Sequence, residues 1–244
     1  SRVSMPPRKR ARLTNPASLA VRGGAEAHAL SSEAASERIR LAQSGDGILL
    51  ITCDASGDGQ SSGIAGVLRE IGACQSGHDR WSCVTAQLPW DESVAGETEA
   101  IALALRTAAM QVDADRRREV LVLSDCFGAR GAFTDAHCRV RREFECGDHA
   151  ADALRKCCDA GSKVYISGVK GTHSSKHDGF FDHAAADQIA KEARYQSGLR
   201  VLHAEVPSLQ QADLDWLSHP PKKVKSGDSE NRRVRLKNRL KLEC

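Results

Sequence analysis

The sequence contains few aromatic residues: three Trp, two Tyr and five Phe make up 4% of its 244 residues. No apolar run approaches the roughly 20 residues that a membrane-spanning helix requires, and the N-terminal region lacks the apolar stretch of a signal peptide. Apolar residues still account for 41% of the chain, which suffices for one ordinary core of Ala, Val, Leu and Ile. We therefore expect a soluble, intracellular protein with no membrane partner.

The nine cysteines are odd in number and irregularly spaced. Without a secretory signal, this pattern favours reduced thiols over a disulfide framework. Residues 137–149 include two His and two Cys, but their spacing matches no common zinc finger. We therefore predict no zinc site in this segment.

Charge is distributed unevenly along the chain. The formal net charge is +3, but residues 1–13 carry +5 and residues 219–244 carry +6, so the residues between them carry −8. Basic runs bind phosphate backbones, and short ones also serve as nuclear-import signals, so a nuclear location is one option. The predicted nucleic-acid-binding residues are Lys or Arg in these two segments: Arg8, Lys9, Arg10, Lys222, Lys223, Lys225, Arg232 and Arg233.

The order of apolar and amphipathic segments predicts an α/β fold. Short apolar runs at 48–52, 62–72 and 80–90 predict three antiparallel strands. The rest of the core alternates helices at 93–112, 147–161 and 180–196 with strands at 118–125 and 162–169, and a helix is expected just after residue 125. We predict a five-stranded mixed sheet, three antiparallel strands followed by two parallel ones, flanked by helices.

Composition divides the chain into three regions. Residues 1–46 are expected to form a basic, low-complexity extension in which only 31–43 has the capping residues of a short helix. Residues 47–197 are expected to form the folded domain, and 198–244 a C-terminal extension with a basic tail. Neither end resembles a natural terminus, which predicts a segment cut from a longer polyprotein.

Four acidic residues occupy comparable places in the predicted fold. Asp54 and Asp125 end two strands, whereas Glu97 and Asp187 lie near the starts of two helices. The two strands must be neighbours in a compact sheet, and helix starts packed against their ends bring the other two acids nearby. Carboxylates this close repel one another without cations, and hard oxygen ligands suit Mg²⁺ or Mn²⁺. A pair of such ions about 4 Å apart is the arrangement that hydrolyses phosphodiesters.

Motifs in the same order resemble those of one enzyme family. They are CDASGDGQSSGIAGVL after the first strand, a helical Glu-x-x-Ala-x-x-x-Ala-Leu beginning at Glu97, SDC after the fourth strand, and VKGTH followed by AADQIAKEA. Glu99 fits the helical spacing less well than Glu97. Residues 47–196 thus resemble a type 1 ribonuclease H domain, of the kind carried by cellular enzymes and fused to reverse transcriptases.

The resemblance implies an endonuclease that hydrolyses the RNA strand of RNA·DNA hybrids by a two-metal mechanism. It implies Asp54, Glu97, Asp125 and Asp187 as catalytic metal ligands for two Mg²⁺ ions, with Mn²⁺ as a substitute. It also implies a mobile catalytic histidine, for which we choose His173, with His177 in the same long loop as the alternative. A fused or upstream reverse transcriptase, as in a non-LTR retrotransposon, is the implied protein partner.

The sequence departs from the family pattern at several positions. Ala55 replaces a usual Gly, and His183 and Ala184 stand where the family often has Asn-Glu. Ser93 and Val94 poorly match the residues that contact the hybrid's minor groove. These departures favour an alternative, a non-catalytic ribonuclease-H-like module that binds nucleic acid or protein. Retention of all four acids favours the enzyme, and AADQIAKEA disfavours a transposase or integrase of the same superfamily.

Overall fold

The computed structural model describes residues 26–42, 47–72, 80–111, 118–169, 180–195 and 200–202. The strands in chain order are β1 (His28–Leu30), β2 (Ile48–Gly57), β3 (Ser62–Ile71), β4 (Arg80–Leu88), β5 (Glu119–Ser124), β6 (Lys163–Gly168) and β7 (Arg200–Leu202). The helices are α1 (Ser32–Ala42), α2 (Ser93–Gln111), α3 (Phe127–Thr134), α4 (Arg139–Glu143), α5 (Cys146–Asp159) and α6 (Phe180–Ala193). None of the helices in these ranges is both long and apolar enough to cross a membrane.

The strands form one mixed sheet in the order β1-β6-β5-β2-β3-β4-β7. Strands β2, β3 and β4 are antiparallel neighbours, whereas β5 and β6 run parallel to β2. The predicted arrangement of three antiparallel strands followed by two parallel ones is therefore confirmed. Two short edge strands, β1 and β7, extend the five predicted strands to seven.

The segment that precedes β2 is part of the sheet domain. His28 of β1 pairs with Tyr165 of β6, and α1 buries Ala35 and Ile39 against the sheet in a cluster that includes Leu50. The domain boundary predicted at residue 47 therefore lies too far along the chain. Likewise, β7 pairs with β4 beyond the boundary predicted at residue 197. Three-residue edge strands are too short to produce a readable apolar period.

Helices cover both faces of the sheet. Odd-numbered residues of β2, such as Leu49 and Ile51, pack in the main core with α2, α3 and α5. The opposite face, which carries Leu50, packs against α1, and the same face of β3 and β4 packs Val67 and Cys83 against α6. Successive residues of a strand point to opposite faces, so each helical layer meets its own set of strand side chains.

Two glycines of β3 allow helices to approach the sheet closely. A Cβ atom on Gly66 would lie 2.6 Å from the Cβ of Ala104 in α2, on the main-core face. A Cβ on Gly63 would overlap the carbonyl oxygen of Ala190 in α6, on the opposite face. The glycine-rich second strand therefore determines how near α2 and α6 lie to the sheet.

The cysteines of the described ranges are free thiols. Seven of the nine lie in these ranges, five of them buried. This agrees with the reduced state predicted from their number and spacing. They are Cys53, Cys83, Cys126, Cys138, Cys146, Cys157 and Cys158.

Candidate active site

Asp54 and Asp125 lie at the same edge of the sheet. Strands β2 and β5 are parallel neighbours with Thr52 opposite Leu123, and each Asp lies two residues beyond that pair. Because a two-residue step returns a side chain to the same face, both carboxylates point to the face covered by α1 and α6. One carboxylate oxygen of each and a ring nitrogen of His183 all lie within 4.8 Å of one another.

His183 of α6 is the site residue that sequence reasoning missed. Its side chain is 5% exposed, and its Nε2 lies 3.7 Å from Oδ1 of Asp125. That nitrogen has no hydrogen-bond partner within the described ranges. The available signal was its position four residues before Asp187, because residues four apart share a helix face.

Glu97 reaches the same place from the start of α2. Its Oε1 accepts a hydrogen bond of 3.2 Å from the backbone N–H of Ala55, which ties α2 to the end of β2. Its Oε2 is buried and lacks a hydrogen-bond partner among the residues that the structure describes. Burial, together with repulsion from Asp54, raises the pKa of Glu97 well above its usual value.

The two aspartates respond in opposite ways to their surroundings. Burial, aided by repulsion from Asp125 and Asp187, raises the pKa of Asp54 to about 6, although His183 partly opposes this. Contact with His183 lowers the pKa of Asp125 and outweighs the effect of burial there. Burial alone would lower the pKa of His183, but the surrounding Asp carboxylates raise it above its usual value. The contact between the two side chains therefore favours a protonated His183 ring and an ionised Asp125, whereas burial disfavours ionisation of Asp54 and Glu97.

Asp187 lies at the margin of this cluster. Its side chain is 39% exposed and its Oδ2 contacts Nζ of Lys191 at 2.6 Å. Its charge still repels Asp54 and attracts His183. Its role as a fourth metal ligand stays a prediction.

Several residues singled out in the sequence lie outside the described ranges. They include His173 and its alternative His177. The eight Lys and Arg residues predicted to contact nucleic acid lie outside these ranges as well. Their roles stay predictions.

The donor set of the cluster suits a divalent cation. Two carboxylates and one imidazole offer ligand atoms within 4.8 Å of one another, and the carboxylate of Glu97 lies beside Asp54. Carboxylate oxygens are the preferred ligands of Mg²⁺ and Mn²⁺, and imidazole binds many transition metals. Clustered buried acids and a buried nitrogen without a hydrogen bond are the features that a bound cation would stabilise.

No protein-family model and no curated protein matches this chain. Among solved structures, the protease–reverse transcriptase of prototype foamy virus is similar over 63% of this chain, with 14% identity and a TM-score of 0.48. That match spans 21% of the viral protein.

Two similar structures are ribonucleases H. LC9-RNase H1, described as a type 1 enzyme with the type 2 active-site motif, has 12% identity over 75% of this chain and 90% of its own, with a TM-score of 0.46. LC11-RNase H1, solved in complex with an RNA/DNA hybrid, has 17% identity over 60% and 96%, with a TM-score of 0.40. The mixed sheet of this chain, with antiparallel β2, β3 and β4, parallel β5 and β6 and helices on both faces, is the ribonuclease H-like arrangement expected from the sequence.

Proposed function

We propose that this chain is a metal-dependent endonuclease that hydrolyses the RNA strand of RNA·DNA hybrids. One observation carries the proposal: Asp54, Asp125 and His183 bring their ligand atoms within 4.8 Å of one another, just beyond the last paired residues of the parallel strands β2 and β5. Glu97 stands beside them, held through Ala55. Carboxylates this close together destabilise a fold by mutual repulsion. Cation-assisted hydrolysis of phosphodiesters is a function that requires such a cluster.

The position of each residue in the cluster gives it a distinct proposed role. Asp54, Asp125 and Glu97 would hold divalent cations, with His183 inside the cluster and Asp187 at its margin. Bound cations would activate water and stabilise the leaving oxygen of the scissile phosphate. Glu97 is oriented by the Ala55 N–H through Oε1, which leaves Oε2 as the acceptor for a ligand. The 2′-hydroxyl is a donor of this kind, and it is the group that distinguishes RNA from DNA.

Substrate affinity requires positive charge that the middle of the chain lacks. Residues between the two basic segments carry a net charge of −8 for a total of +3. Phosphate contacts supply much of the affinity for nucleic acids. We therefore assign phosphate binding, and import into the nucleus, to the basic segments 1–13 and 219–244. A reverse transcriptase of the same retroelement is the proposed protein partner, on the strength of the sequence motifs.

A non-catalytic binding module is the second candidate, and one observation favours it. His183 lies 3.7 Å from Asp125 and places a positive charge inside the acidic cluster when its ring is protonated. An internal cation of this kind reduces the repulsion among the acids without any metal. In such a protein the acids would have a structural role only.

The test is cleavage of an end-labelled RNA·DNA hybrid with Mg²⁺ and then with Mn²⁺, beside duplex RNA and duplex DNA. Asp125→Asn removes a central carboxylate, and Asp159→Asn, on the exposed end of α5, is the matched control. We expect cutting of the hybrid alone, lost in Asp125→Asn and kept in Asp159→Asn. Folded wild-type protein that binds the hybrid but cuts it with neither metal would replace the enzyme with the binding module.

A further inference from the structure

The imidazole of His183 has an unusual place for a helical histidine. Its side chain is 5% exposed, yet its Nε2 has no hydrogen-bond partner among the described residues. Its contact with Asp125 Oδ1, at 3.7 Å, is too long for a hydrogen bond. A buried polar atom without a hydrogen bond destabilises the folded protein, so this position favours a compensating interaction.

The position of His183 is determined by close packing of α6. Ala186, one turn along, is fully buried in a cluster with Val67 and Cys83. Further along α6, the carbonyl of Ala190 lies so near Gly63 that no Cβ fits between them. His183 therefore cannot leave the cluster by a small shift of α6, and its ring is held towards Asp54 and Asp125.

We propose that His183 is a metal ligand and that it makes this site selective for a transition-metal ion, with Mn²⁺ bound in preference to Mg²⁺. The inference concerns the same residues as the proposed function and rests on it for biological meaning. Ligand atoms that share one ion, at bond lengths of about 2.1 Å, lie about 3–4 Å from one another. The ligand atoms of Asp54, Asp125 and His183 lie within 4.8 Å of one another, so they would have to approach by no more than about 2 Å to bind the same ion.

The selectivity follows from ligand chemistry. Mg²⁺ binds oxygen almost exclusively and keeps several of its waters, whereas imidazole is a common ligand of transition metals. Replacing one oxygen ligand of an all-carboxylate site by a ring nitrogen therefore weakens the binding of Mg²⁺ more than the binding of Mn²⁺. The two aspartates still supply oxygen ligands to Mn²⁺, which binds both oxygen and nitrogen donors.

The test measures metal binding rather than cleavage. Pulsed electron paramagnetic resonance of Mn²⁺ on the full chain detects a directly bound nitrogen, and titration calorimetry compares Mn²⁺ with Mg²⁺. We expect a nitrogen signal in the wild-type protein that disappears in His183→Gln, and a Mn²⁺:Mg²⁺ affinity ratio about tenfold lower in that variant. His149→Gln is the matched control, because His149 also contacts a buried carboxylate, that of Glu99, but away from the cluster.

The outcomes separate this inference from the proposed function. If the protein binds Mn²⁺ through nitrogen but cuts no hybrid, the assignment of His183 as a ligand stands and the proposed nuclease function is wrong. Hybrid cleavage by a protein whose bound Mn²⁺ has no nitrogen signal would overturn the ligand assignment alone. Should His183→Gln fail to fold, the wild-type spectrum and affinity ratio decide the matter without it.

Discussion

Glu97 and Glu99 are two residues apart on α2, yet their carboxyl groups lie on different sides of the helix. Oε1 of Glu97 accepts a hydrogen bond from Ala55 of β2 at 3.2 Å, whereas Oε1 of Glu99 lies 2.7 Å from Nδ1 of His149 in α5. Two steps along an α-helix rotate by about 200°, which explains the divergence. The first glutamate belongs to the acidic cluster and the second to the interface between α2 and α5.

This divergence predicts different effects on cleavage. Glu97→Gln should lower the rate of hybrid cleavage by about 10²-fold or more, because a charge contribution of several kcal/mol to the transition state is lost. Glu99→Gln should retain most of the activity. Single-turnover cleavage at saturating metal, with folding of both variants verified by circular dichroism, makes the comparison. Equal losses in the two variants would contradict the separation of their roles.

Glu99 and His149 should make stability dependent on pH. Burial raises the pKa of Glu99 to about 7, although His149 opposes it. Burial would lower the pKa of His149, but contact with Glu99 outweighs this and raises it. Both groups therefore bind protons more tightly in the folded state, and the stability they contribute is lost as pH rises through the folded-state pKa values.

The corresponding measurement is urea unfolding, without metal, at several values between about pH 5 and pH 8. The free energy of unfolding of the wild-type protein should fall with rising pH, at about 1.4 kcal/mol for each unit of pKa difference. Glu99→Gln should show a shallower decline, because it removes the titrating Glu99 carboxyl and also the contact that raises the pKa of His149. A steeper decline in the variant would refute this account.

Asp54 and Asp125 should respond oppositely to neutralisation. The pKa of Asp54 is raised to about 6, so its ionised form destabilises the metal-free protein above that pH. Asp54→Asn should therefore raise the free energy of unfolding at pH 8 by roughly 1–3 kcal/mol, and by less at pH 5. Contact with His183 lowers the pKa of Asp125, so Asp125→Asn should instead reduce stability. Denaturant melts in the presence of a chelator give both values, and a shift of the same sign in both variants would be inconsistent with the site described.

Close approach of α6 to β3 should make Gly63 intolerant of a side chain. Gly63→Ala would place a Cβ against the Ala190 carbonyl, and we expect a loss of about 1–3 kcal/mol in the free energy of unfolding. Gly131→Ala, within α3, is the control, because a Cβ there would lie 3.8 Å from the Cβ of Cys138, an ordinary van der Waals distance. That change should be neutral or stabilising by up to about 1 kcal/mol. Thermal melts of the two variants test the contrast, and wild-type stability of Gly63→Ala would show that α6 lies farther from the sheet.

Elements with strong local periodicity were predictable from the sequence. The helix expected over 93–112 is Ser93–Gln111, and the strand expected over 162–169 is Lys163–Gly168. Their apolar patterns extend over enough residues to be distinctive. The edge strand β1 was not found, because it is three residues long and its pairing with Tyr165 joins residues far apart in the chain.

The proximity of Asp54 and Asp125 followed from the sequence, because their strands were expected to be neighbours. Asp125 directly follows β5, as expected, but the expectation that Asp54 ends its strand is wrong, because the pairing of β2 with β3 continues to Gly57. Which residues of α6 enter the cluster was decided only by the tertiary structure. Helical spacing allows both His183 and Asp187 to face the sheet, and a sequence contains no measure of how a helix is rotated about its axis. Packing of Ala186 and the close approach at Gly63 settle that rotation, so His183 stands beside Asp125 while Asp187 contacts Lys191.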